Sequence, residues 1–177
     1  KAHLEGFGGV EGVIKGKSEL YDFLRKTNGK VFLNSDDNIQ VKQSEGIETF
    51  NFNSEEIKFI DANPFVKVTF KNEVIQSQLI GSYNYNNIAA AIKIGDYFNV
   101  SISDIKKAIE SYAPANNRSQ IIVKGSNKIV LDAYNANPSS MKVALENFNQ
   151  LKEDTKIVFL GDMFELGETS KIEHQQI

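Results

Sequence analysis

The chain has 177 residues, a formal net charge of −3 and no cysteine, enough length for one large or two small domains. The charge offers no basic field for nucleic acid, and the missing cysteine excludes disulfides, thiolate metal sites and a thiol nucleophile. No apolar run reaches the ~18 residues of a membrane span and no signal peptide opens the sequence, so a cytoplasmic protein without membrane or nucleic-acid partners is expected.

The sequence opens on Lys1-Ala2-His3-Leu4-Glu5-Gly6-Phe7-Gly8-Gly9 with no element before it, and closes on His174-Gln175-Gln176-Ile177 inside a helical pattern. It reads as an excised piece of a longer protein. A helix is predicted over 10–26, with Val10, Val13, Ile14, Leu20, Tyr21, Phe23 and Leu24 apolar. Lys17 lies within that stripe, with Val13, Ile14, Leu20 and Tyr21 three and four residues away. A lysine there either snorkels out along its stem or is held with a lowered pKa, and the spacing alone favours snorkelling. Gly12-Val13-Ile14-Lys15-Gly16-Lys17-Ser18 imitates a phosphate-binding loop. It is one residue short between the glycines, carries Glu11 where glycine belongs and follows no strand, so it is rejected.

Strands are predicted at 30–34, 47–51, 57–61, 65–71 and 74–79, with a polar turn Ser35-Asp36-Asp37-Asn38 after the first. Val66, Val68 and Phe70 alternate with Lys67, Thr69 and Lys71, which marks a half-exposed antiparallel strand in a meander turning at Lys71-Asn72-Glu73. Gly81-Ser82-Tyr83-Asn84-Tyr85-Asn86-Asn87 enters a helix running through Phe98, with Ile88, Ala91, Ile92 and Gly95 on one face. Its asparagines either cap the helix or contact a ligand. Ser101-x-x-Asp104 starts a further helix with Ile102, Ile105, Ile109 and Tyr112 inward. Ala113-Pro114-Ala115-Asn116-Asn117 breaks that helix, and a boundary is placed between domains 1–114 and 115–177. Arg118, at this junction, either meets solvent or a carboxylate, or reaches an anionic ligand. A strand pair, 120–124 and 128–131, follows.

Asp132-Ala133-Tyr134-Asn135-Ala136-Asn137-Pro138-Ser139-Ser140-Met141 comes next. Asn137 suits an N-cap and Pro138 a first helical position, and Met141, Ala144, Leu145 and Phe148 then form one helix face. Ile157-Val158-Phe159-Leu160 reads as a second buried strand, completing a βαβ unit of a parallel sheet. Ligands in such sheets sit beyond the carboxyl ends of the strands, where this decapeptide falls. A carboxylate, two amides and a phenol in one loop suit binding.

In order, Ala2-His3-Leu4-Glu5-Gly6-Phe7-Gly8, Lys17-Ser18-Glu19-Leu20, Gly81-x-Tyr83-Asn84-x-x-Asn87-x-Ala89-Ala90, Asn117-Arg118, Asp132-x-Tyr134-Asn135-Ala136-Asn137-Pro138 and Leu160-Gly161-Asp162-Met163-x-Glu165-Leu166-Gly167 resemble the Mur ligases. The Tyr-Asn-Ala-Asn-Pro and Gly-Asp-Met-x-Glu-Leu-Gly strings resemble the member that adds D-alanyl-D-alanine to UDP-N-acetylmuramoyl-tripeptide. The resemblance implies an α/β fold: part of a central ATPase domain, with a parallel sheet and a small antiparallel meander, followed by the first part of a Rossmann-like C-terminal domain. It also implies ATP-dependent amide ligation through an acyl phosphate, with Mg²⁺ and cationic groups stabilising the moving charge. By that likeness His3 is a Mg²⁺ ligand, and Lys17, once carbamylated, helps hold a second metal. Asn84 contacts the adenine, Arg118 the ATP phosphates and Asp132 the ribose hydroxyls. Tyr134, Asn135 and Asn137 shape the side that receives the dipeptide, so the decapeptide is one wall of an ATP and dipeptide cleft.

Two departures stand out. Tyr83 replaces the histidine that many members carry before the adenine-contacting asparagine, so ring stacking replaces a hydrogen bond in this expectation. The family's phosphate-binding loop and UDP-binding domain have no counterpart here, so the chain alone is expected to be inactive and to self-associate through exposed sheet edges. The competing readings are another Mur-type or folylpolyglutamate-type ligase, and a non-catalytic α/β binding module.

Overall fold

A computed structural model of the chain describes residues 3–115 and 117–177. Ala2, in the opening string, and Asn116, in the helix-breaking junction, lie outside the described residues. Two compact units are present, one of Ser18–Pro114 and one that joins Lys1–Lys17 to Ala115–Ile177. Among the described residues no helix is long and apolar enough to cross a membrane.

The chain opens with a single turn, α1 (Leu4–Phe7), and the long helix α2 (Val10–Lys26), whose bounds are those of the predicted helix. Phe7 folds back over the start of α2. A Cβ on Gly12 would lie 1.7 Å from the Phe7 carbonyl oxygen, and one on Gly16 would lie 2.6 Å from the Phe7 ring. The two glycines that imitate a phosphate loop are therefore packing residues.

In the unit Ser18–Pro114, β1 (Lys30–Asn34) and β2 (Glu48–Phe52) form a parallel pair connected through α3 (Asn38–Gln43). The sequence reading has a turn in place of the start of α3. Its N-cap is Asp37, whose carboxylate accepts the N–H groups of Ile39 at 2.9 Å and Gln40 at 3.1 Å. An antiparallel meander forms from β3 (Lys58–Ala62), β4 (Phe65–Phe70) and β5 (Glu73–Ile80), while the strand expected at 47–51, as β2, pairs in parallel with β1 and stays out of it. Lys71 and Asn72 have φ of 48° and 68°, the left-handed pair that a two-residue hairpin turn of right-twisted strands requires.

Two helices, α4 (Tyr85–Tyr97) and α5 (Ile102–Ser111), complete the core of this unit. Ile88, Ala89, Ile92 and Ile105 join Phe52, Ile57, Val66, Val68, Phe70 and Ile75 in one buried cluster. The alternation in β4 thus points where the sequence indicates. Ala89 rather than Ala91 faces inward, and Tyr112 lies past the end of α5 and is exposed. A Cβ on Gly95 would lie 3.0 Å from Ile105, so the absent side chain lets the two helices approach.

In the other unit, β6 (Gln120–Lys124) and β7 (Asn127–Leu131) form an antiparallel hairpin, followed by α6 (Pro138–Gln150) and α7 (Ser170–Gln175). The expected βαβ unit does not form. Residues 157–160 make no ladder with any described strand, and Phe159 is 93% exposed. An apolar run is a strand only where a neighbour takes its N–H and C=O groups, and no described strand lies alongside 157–160 to do so. The described fold is mixed α/β, with one parallel and two small antiparallel sheets.

Candidate functional site

The open end of the β6–β7 hairpin collects three of the expected site residues. Pairing runs to Gln120 opposite Leu131 and is prolonged by two further bonds. The N–H of Ala133 donates to the Asn117 carbonyl at 2.8 Å, and the N–H of Ser119 donates to Asp132 Oδ1 at 3.3 Å. Asn117 and Ser119 have φ of 58° and 50°, so Arg118 sits between two left-handed residues. The guanidinium carbon of Arg118 lies 3.7 Å from the centroid of the Tyr134 ring. The sequence offered Arg118 solvent, a carboxylate or an anion. Its partner in the structure is an aromatic face.

The residues after Tyr134 divide. Asn137 Oδ1 accepts the N–H of Ser140 at 3.0 Å, and Ser140 Oγ accepts the N–H of Asn137 at 3.2 Å. This reciprocal capping box, with Pro138 buried at the first helical position, is the start of α6 that the sequence indicates. The Asn137 side chain is thereby engaged in the helix terminus. Asn135 is exposed.

His3, at the chain's start, has a left-handed φ of 57°, and its Nδ1 lies 2.5 Å from Glu165 Oε2. The carbonyl of Glu165, itself left-handed at φ 62°, accepts the N–H of Glu5 at 3.4 Å. Buried Met163 and Leu166 anchor the segment around Glu165. His174, given no chemistry on sequence, braces the same segment. Its Nε2 accepts the Met163 N–H at 2.9 Å, and its Nδ1–H donates to the Ser170 carbonyl at 2.8 Å. Lys17 is exposed on α2, in keeping with the snorkelling alternative. Among the described residues no three His, Asp or Glu side chains converge on a point where a metal ion would sit.

In the unit Ser18–Pro114, a one-turn 3₁₀ helix, Ser82–Asn84, leads into α4 and gives Asn84 helical dihedrals. Its side chain therefore makes no cap. It is buried, Nδ2 donating to the Ile80 carbonyl at 2.8 Å and Oδ1 accepting from Asn87 at 3.2 Å. Tyr83 beside it is exposed. Asn34, unremarked in the sequence, is also buried, at the carboxyl end of β1. Its Oδ1 accepts the Asp36 N–H at 3.0 Å, and its Nδ2 reaches Asn86 Oδ1 at 3.4 Å. The available signal was a polar residue closing an apolar strand. Tyr85 donates its hydroxyl to the Ile57 carbonyl at 2.5 Å. Burial, reinforced by the Asp36 carboxylate, raises the phenol above its ordinary pKa.

Two family descriptions match the chain: the Mur ligase middle domain over residues 1–95, and the Mur ligase, glutamate ligase domain over residues 117–177. The chain belongs to the Mur ligase family. The UDP-N-acetylmuramoyl-tripeptide–D-alanyl-D-alanine ligase of Haemophilus influenzae is 30% identical over 187 residues, which cover 99% of this chain and 40% of that protein. A crystal structure of MurF from Acinetobacter baumannii aligns with a TM-score of 0.82 at 26% identity, over 99% of this chain and 41% of that one. MurF from Thermotoga maritima, solved in complex with ADP, shares the fold with a TM-score of 0.76 at 22% identity, over 99% and 43%. The chain thus spans roughly two fifths of the length of the curated relatives it matches.

Proposed function

We propose that this chain is part of a cytoplasmic, ATP-dependent amide ligase that adds D-alanyl-D-alanine to UDP-N-acetylmuramoyl-tripeptide in bacterial cell-wall synthesis. The observation that carries the reading is the convergence of Arg118, Asp132 and Tyr134 at the open end of one hairpin, in a chain whose relatives carry that activity in their names. In the reaction a substrate carboxylate oxygen takes the γ-phosphoryl group of ATP. The dipeptide amine then attacks the acyl carbon, loses a proton and displaces inorganic phosphate. Arg118 offsets charge on the transferring phosphoryl group. Asp132 accepts the ribose hydroxyls, and Asn84 contacts the adenine. Tyr134 and Asn135 border the dipeptide, with Asn137 holding the helix start beneath them. The domains divide at 114/115.

His3 and Lys17 belong to the metal side of this reading, His3 as a Mg²⁺ ligand and Lys17 as one once carbamylated. The resemblance is their support. The described residues do not by themselves complete a metal site, so no step is assigned to one. Incubating the full-length protein with ¹³C-bicarbonate gives a carbamate carbon signal that Lys17→Ala removes, and no such signal in the unsubstituted protein counts against the assignment.

Release of ADP by the full-length protein is expected to require both UDP-N-acetylmuramoyl-tripeptide and D-alanyl-D-alanine. The 177-residue chain by itself, which has no phosphate-binding glycine loop, is expected to show no turnover. ADP release with glutamate and a folate in their place would move the assignment to the folylpolyglutamate-type ligases.

A further inference from the structure

Arg118 holds an unusual position for an exposed arginine. Among the described residues no carboxylate lies within ion-pair distance, and its guanidinium carbon lies over the Tyr134 ring, 3.7 Å from the centroid. Its backbone is set from both sides. Left-handed Asn117 is tied through its carbonyl to the Ala133 N–H, and left-handed Ser119 through its N–H to Asp132 Oδ1. Asparagine enters this region readily, whereas serine does so less easily, so the bond to Asp132 counts most at Ser119. The same two bonds bring residues 132–134 alongside 117–119, which delivers the phenol ring to the guanidinium face.

An aromatic face differs from a carboxylate as a partner. It orders the arginine without neutralising it, and it takes the flat side while leaving the N–H edge directed away from the ring. That edge matches two oxygens of a phosphate group. We propose that Tyr134 is a positioning residue for Arg118: its ring is the platform that presents the guanidinium edge to a phosphoryl group. The identity of that group as the end of a nucleoside triphosphate rests on the ligase reading, but the platform does not. It also separates two roles in the decapeptide, with Tyr134 acting through Arg118 rather than on the dipeptide alone.

The chain contains two arginines, so side-chain Nε–H spectra of ¹⁵N-arginine-labelled protein have an internal control. Arg25 is held by Asp22 and by the carbonyls of Gln43 and Glu45, and among the described residues no aromatic ring is stacked on its guanidinium. The Arg118 proton is expected upfield of Arg25 through the Tyr134 ring current. Tyr134→Phe keeps the displacement and Tyr134→Leu abolishes it. Inorganic tripolyphosphate is expected to move the Arg118 signal and not that of Arg25, with affinity weakened about two- to fivefold in Tyr134→Leu and restored in Tyr134→Phe. An Arg118 signal at the same position in the unsubstituted chain and in Tyr134→Leu would overturn the proposal, as would equal tripolyphosphate affinity in the two. Should Tyr134→Leu fail to fold, magnetisation transfer between Arg118 Nε–H and the ring protons of the unsubstituted chain decides the same point, and its absence overturns the platform. Failure of the ligase reading shows differently, as missing dipeptide-dependent ADP release with the ring-current displacement intact.

Discussion

Gly12 lies inside a helix, where alanine ordinarily gains about 1 kcal/mol over glycine. Here the sign is expected to reverse, because the added Cβ would meet the Phe7 carbonyl oxygen at 1.7 Å, and backbone cannot step aside as a side chain can. Gly12→Ala is expected to destabilise the fold by about 1–3 kcal/mol, as other overpacking changes do. Gly16→Ala meets only the movable Phe7 ring and should cost less; urea unfolding of both variants checks the order. These glycines show what single positions conceal. Their spacing imitates a phosphate loop, and only the fold-back of Phe7 reveals why they are there. Arg118 and Tyr134 are similar. Both were legible as candidates, but their stacking depends on hairpin register and on two left-handed residues, which neither composition nor periodicity announces. Asn137 was legible twice over, as cap and as binding residue, and the structure shows the cap.

Elements were most legible where a single periodicity ran long enough. The 3.6-residue pattern of α2 set both its ends, and the period-two alternation of β4 set its buried face. α3 was hidden because Ile39 and Val41 alternate like a strand, and both are exposed, so no apolar helix face existed to be read. Residues 157–160 misled in the opposite sense: four apolar residues look like a strand, but a strand is made by its neighbour. The entry to α4 offers a test at this scale. Tyr85 ties the first turn of α4 to the Ile57 carbonyl, and its folded-state pKa is raised by burial first and by Asp36 second. The phenol must stay protonated to donate that bond. Its contribution is therefore fully present below the ordinary phenol value of about 10 and is lost as pH rises through the higher folded value. Tyr85→Phe is expected to cost about 0.5–1.5 kcal/mol near neutrality. It should also remove part of the loss of stability above about pH 10, measured by urea titrations at neutral and alkaline pH.

For the whole molecule, the two units carry different amounts of core. Ser18–Pro114 holds the whole buried apolar cluster, whereas the unit ending at Ile177 leaves Ile157, Val158, Phe159 and Leu160 exposed, with no ladder partner among the described residues. Unpaired apolar backbone of this kind invites pairing with another chain. The 177-residue chain is expected to elute earlier from a sizing column as its concentration rises, and Phe159→Glu to suppress the change. A concentration-independent monomer would contradict self-association through this segment. Ligation through an acyl phosphate leaves an isotopic signature. Full-length protein is supplied with ATP, D-alanyl-D-alanine and UDP-N-acetylmuramoyl-tripeptide carrying ¹⁸O in its terminal carboxylate. An acyl phosphate requires one labelled oxygen to leave in the inorganic phosphate while the other stays in the pentapeptide product, both read by mass spectrometry. Unlabelled phosphate would contradict an acyl phosphate, and ATP turnover with no pentapeptide would contradict dipeptide ligation.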